Sequence, residues 1–138
     1  MRGFHILLLM AALLLPGAVF AADTPPRDIG KAEDARLTIA GDRVVGAQLV
    51  ATFEMGGYEV PEGMYASINV DVEKRPQGGK PDILTGYPHT RLVFDVPGTY
   101  ELRFRLNQIS KSSCGGVDAV PLLETTQTLV ILPAESRQ

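Results

Sequence analysis

From Val45 onward, apolar and polar residues alternate at every second position through successive segments of the chain. In Val45–Met55 the odd positions Val45, Ala47, Leu49, Ala51, Phe53 and Met55 are apolar, while Gln48, Thr52 and Glu54 fall among the even ones. Ile68, Val70 and Val72 alternate with Ser67, Asn69, Asp71 and Glu73; Leu92, Phe94 and Val96 alternate with Arg91 and Asp95. Tyr100, Leu102, Phe104 and Leu106 do the same against Glu101, Arg103, Arg105 and Asn107. A period of two sets one face of an extended segment on a core and the other in water. A short strand at Arg36–Ala40, a weak one at Asp82–Leu84 and a β-branched one at Thr125–Leu132 bring the expected count to about seven. No segment of the domain carries a helical stripe, and Ile29–Leu37 has too few apolar residues for more than a turn. The expected fold class is all-β: an immunoglobulin-like two-sheet sandwich of about seven strands spanning residues 36–133.

Val96-Pro97-Gly98-Thr99 adds topology. Pro fixes φ and Gly supplies a positive φ, which suits a type II turn rather than the mirror-image turns of tight hairpins. The link is expected to carry the chain from one sheet to the other. Pro97-Gly98-Thr99-Tyr100-Glu101-Leu102-Arg103-Phe104 resembles the start of the F strand in bacterial immunoglobulin-like domains, especially the polycystic-kidney-disease type. The resemblance implies a sandwich in which the Tyr bonds back to nearby backbone as a corner. The chain departs from antibody-like domains in having no Trp and no paired cysteines, Leu102 standing where a disulfide partner would sit. Such a likeness implies a fold, not a function.

The first residues have a different character. Arg2 and His5 precede the ten-residue apolar run Ile6–Leu15, followed by Pro16-Gly17 and the small-residue end Val19-Phe20-Ala21-Ala22. This order reads as a cleaved signal peptide over residues 1–21, since a bilayer-spanning helix needs about 20 apolar residues. Residues 22–35, rich in Pro and charge, read as a flexible lead, and 134–138 as a tail. The expected location is periplasmic or secreted, without stable membrane insertion after cleavage. Across 138 residues, 13 Lys and Arg stand against 16 Asp and Glu, with no basic cluster, so no nucleic-acid partner is expected. Cys114 is the only cysteine, which excludes an intrachain disulfide.

The expected strand order brings three connections to one end: Gly56–Met64, Thr85–His89 and Ile109–Leu123, the last long for neighbouring strands. Loops held by a rigid sandwich are common recognition surfaces. Tyr58, Tyr87, His89, Lys111 and Cys114 are therefore the candidate binding residues, although Tyr58 or Tyr87 packing over the end of the core explains the same pattern. Cys114 sits in Ser112-Ser113-Cys114-Gly115-Gly116, where an odd thiol fits an inert loop residue, an intermolecular disulfide making a homodimer, or a carrier or redox group. His89 alone, after the leader, does not supply the ligands of a blue-copper or zinc site, and no cofactor is expected. Asp71 and Glu73 share a strand face, which suits paired-acid hydrolysis or Ca²⁺ but follows equally from a solvated face with Arg103 and Arg105 across the strands. The reading is a non-enzymatic binding or accessory module for another envelope or secreted protein. A thiol carrier using Cys114 and a peptidase inhibitor are the alternatives.

Overall fold

The computed structural model describes residues 32–112 and 114–135, and the signal peptide expected at 1–21 and most of the lead, 22–31, lie outside them. Seven strands form: β1 Arg36–Ala40, β2 Gln48–Glu54, β3 Tyr65–Lys74, β4 Asp82–Leu84, β5 His89–Val93, β6 Gly98–Lys111 and β7 Val117–Ile131. They lie in two antiparallel sheets, β1-β2-β5-β4 and β3-β6-β7. This is the strand order of the constant-type immunoglobulin sandwich. Among the described residues no helix is long and apolar enough to cross a membrane.

The alternation sets the core. Leu49, Ala51 and Phe53 from β2, Thr90 and Leu92 from β5 and Tyr100, Leu102, Phe104 and Leu106 from β6 are buried, and their odd or even neighbours face outward. Two aromatic pairs cross between the sheets, Phe53 with Phe104 (ring centroids 6.1 Å apart) and Phe94 with Tyr100 (4.5 Å). Spacings and tilts of this kind suit the quadrupoles of the rings. Leu102 is fully buried between the sheets, which are joined there by apolar packing.

Pro97-Gly98 carries the chain between the sheets, from β5 to β6, and Gly98 has φ of 140°. Tyr100 Oη donates to Val96 O at 2.8 Å, closing the corner that the sequence resemblance implied.

Two expectations need correction. The stretch Ile109–Leu123 is not a long connection: β6 runs to Lys111, β7 begins at Val117, and residues 112–116 alone join them. Pro121 suggested a loop, but β7 is the outer strand of its sheet, where a missing N–H costs no ladder bond. A bulge absorbs the irregularity: Leu106 pairs Leu123 and Asn107 pairs Pro121, leaving Leu122 as the extra residue. The end of the lead also belongs to the fold, because Ala32 is buried and Ala35 packs on the core.

Candidate functional site

The strand directions gather the β2–β3, β4–β5 and β6–β7 connections at one end, called here the loop end. Each connection has internal bonds, and the β4–β5 link is also held to β2, Phe53 N donating to Pro88 O at 2.8 Å. Tyr58 N donates to Met55 O at 3.1 Å, and Met64 N to Pro61 O at 3.1 Å. Buried Thr90 ties the β4–β5 link, its hydroxyl donating to Gly86 O at 3.0 Å and accepting from Gly86 N at 3.2 Å. In the β6–β7 turn Ser112 N donates to Gly116 O at 2.9 Å, and Gly115 takes φ of 81°, a conformation suited to glycine.

The five candidate residues fare differently. Tyr58 is half-buried, packs on the core and donates through its hydroxyl to Gln108 Oε1. Gln108, itself buried, donates onward to Met64 Sδ at 3.1 Å. Tyr58 therefore caps the interior and supports the β2–β3 connection. Tyr87 is 42% exposed. His89 opens β5 on the outer face of the four-stranded sheet, where its Nδ1 lies 3.2 Å from Thr52 Oγ1, its cross-strand neighbour. Lys111 is exposed at the end of β6, paired in register with Val117. Cys114 is exposed and free at the turn of the β6–β7 ribbon. That ribbon continues past the last rung of β3, since Tyr65 pairs Ile109 while Ser110 and Lys111 pair only with β7.

Sequence reasoning missed four apolar residues at this end. Met64, Tyr65, Leu84 and Val117 are exposed at the same end as Tyr87, Val117 by 63%. Tyr65 was findable: it shares the parity of the outward Ser67, Asn69 and Asp71. Val117 and Leu84 carried no such signal, because they end strands where alternation stops deciding the face.

The acidic pair lies elsewhere, on the outer face of the three-stranded sheet. Arg105 Nη2 is 2.6 Å from Asp71 Oδ2, and Arg103 Nη2 is 3.0 Å from Glu73 Oε1 and 3.4 Å from Asp71 Oδ2. Both acids are thus engaged by cross-strand arginines. Lys74 Nζ bonds Glu101 Oε2 at 2.7 Å, and that bond with the charge of Glu101 raises the lysine above its ordinary pKa. Among the described residues no three His, Cys, Asp or Glu side chains are grouped closely enough to hold a metal ion.

No protein family, curated protein or solved structure matches the chain.

Proposed function

We propose that this chain is an exported, non-enzymatic binding module that recognises another envelope or secreted protein through the loop end. One observation carries the reading. Of the eight large hydrophobic side chains exposed among the described residues, five (Met64, Tyr65, Leu84, Tyr87 and Val117) belong to this end. Exposed apolar side chains concentrated at one end suit a contact site, and with Tyr65 and Leu84 on the outer faces of opposite sheets the contact wraps around that end. The aromatic pair Tyr65 and Tyr87 is of the type enriched at interface anchors, and Lys111 adds a rim charge. Tyr58 and His89 enter as support and neighbour rather than as contacts. The immunoglobulin-like kinship drawn from Pro97–Phe104 fits a module of this kind.

Photo-crosslinking in the producing cell tests the proposal. Benzoylphenylalanine at Tyr87 or Val117 is expected to give one discrete higher-mass adduct, and at Gln77, at the opposite end, none. Equal labelling at both ends, or none at either, refutes it.

Exposure of Cys114 at a projecting turn favours one second reading, a homodimer or thiol carrier joined through this residue. The intact mass of protein purified without reductant separates the two proposals: a disulfide dimer or adduct supports the thiol role, and an unmodified monomer removes it.

A further inference from the structure

Beside the loop end, the outer edge of β7 opens onto a groove of about 1040 Å³, walled by Ala32–Ala35, by the start of the β2–β3 connection and by Pro121–Glu124 of β7. That is the size of a ligand site. Its walls are built with care. Behind the lining, between Met55 and Gly57, Gly56 takes φ of 62° and lies against Asp34, where a Cβ would collide with the aspartate's own Cβ. The β7 bulge turns Leu122 into the interior at 4% exposure, beside Met55 at 6%. Ala35 and Leu123 complete an apolar floor packed on the core.

The described rim residues that carry charge are all acidic. Glu33, Asp34 and Glu124 line the groove, and no described lining residue is Lys or Arg. None of the three acids joins an ion pair among the described residues; Arg105, the register partner of Glu124, turns to Asp71 instead. Among the described residues the β7 edge has no strand partner along this stretch, and the Leu132–Val44 bridge lies just past the strand's far end.

We propose that this groove binds an extended cationic segment of another polypeptide, laid along the free edge of β7 with alternate apolar side chains on the floor. An edge strand supplies main-chain donors and acceptors, while the residues beneath read every second side chain. Lys or Arg at the intervening positions meets Glu33, Asp34 and Glu124. Pro121 and the bulge end the pairing on the loop side, so the seat accepts a short segment. The site is separate from the exposed loop residues and stands or falls without them.

Fluorescence anisotropy of a labelled heptapeptide alternating Lys and Leu, titrated with the chain from Ala22 onward at physiological salt, tests this. The Lys–Leu peptide binds; an alternating Glu–Leu peptide does not. Combining Glu33→Gln, Asp34→Asn and Glu124→Gln weakens binding at least tenfold with an unchanged melting curve, whereas Asp71→Asn with Glu73→Gln leaves it as it was. Equal affinity for both peptides, equal loss in both sets of variants, or no loss in the triple variant overturns the proposal. So does binding that emerges only after Arg27→Ser and Lys31→Ser, since residues 22–31 of the chain itself would then be the occupant.

Discussion

The two ends of the sandwich are built from the same turn-forming residues and are closed in opposite ways. At the end opposite the loop end, the connections are stitched to one another. Lys80 N donates to Asp95 Oδ1 at 2.8 Å, joining the β3–β4 and β5–β6 links. Gly46 N donates to Phe94 O at 2.9 Å, and Leu132 N to Arg43 O at 2.8 Å. Tyr100 reaches Val96, while Pro76 and Gly79 pack over that corner. At the loop end the arcs are bonded within themselves and to neighbouring strands, Tyr58 to Gln108 of β6 and Pro88 O to Phe53 N of β2. They are not bonded to one another among the described residues, and apolar side chains stand in solvent. The two ends thus differ in how their connections are tied, and most of the exposed large apolar side chains stand at the less stitched one.

Glycine substitutions break the comparison most strongly. A Cβ on buried Gly79 would lie 2.7 Å from Tyr100 Oη and 3.2 Å from Pro76 O, inside a packed corner. Gly79→Ala is expected to cost about 3 kcal/mol, as overpacking does. Gly63 in the β2–β3 connection has φ of 80° and nothing within 4 Å of an added Cβ. Gly63→Ala carries only the left-handed backbone penalty, about 1 kcal/mol. Urea midpoints of the two variants measure the difference, and similar values would show that the ends are equally constrained.

The tyrosines come next. Tyr58→Phe leaves the buried Gln108 carbonyl without its donor and is expected to cost about 2 kcal/mol. Tyr87→Phe removes no hydrogen bond among the described residues and should stay within about 0.5 kcal/mol. Equal losses would return Tyr58 to the binding surface.

Tyr100→Phe should cost about 1 kcal/mol through the lost bond to Val96 O. It should also change the alkaline limb of the stability curve. Burial, then the charge of Asp95, raises the Tyr100 phenol, opposed by the positive charge of Arg75. At high pH the folded chain therefore holds a proton that the unfolded chain, titrating near the usual value of about 10, has released. That contribution is complete below pH of about 10 and is lost as pH rises through the folded value. Urea unfolding between pH 9 and 11 should fall less steeply for Tyr100→Phe than for the parent; parallel curves would contradict the assignment.

How much of this was legible in the sequence follows from what alternation encodes. It placed Phe53, Leu92 and Leu102 inside because each sits mid-strand, where parity alone decides the face. The same rule hid the length of β7, since Pro121 and the bulge at Leu122 interrupt the parity halfway along an edge strand that tolerates both. The site was less legible than the fold. Tyr58 and Tyr87 both stand in Gly- and Pro-rich loops, and only the position of Gln108, far along the chain on β6, separates a capping tyrosine from an exposed one. The groove was not legible at all, because Asp34, Gly57 and Glu124 come from three distant segments.

The smallest expected effect sharpens the comparison furthest. Leu84 is 59% exposed and Val117 63%, each closing or opening a strand at the loop end, and neither belongs to the core. If this end presents rather than supports, replacing both with Ser removes contact surface but little buried area. Leu84→Ser and Val117→Ser are each expected to change stability by less than about 0.5 kcal/mol, additively, because surface substitutions away from caps and networks do so. Crosslinked adduct from Tyr87 should fall in the same variants. A drop in the melting midpoint comparable to that of Gly79→Ala would mean that these side chains hold the sheets together, and the division of labour between the two ends would fail. An unchanged midpoint with undiminished adduct would leave the asymmetry of the fold standing but move the contact surface away from Leu84 and Val117.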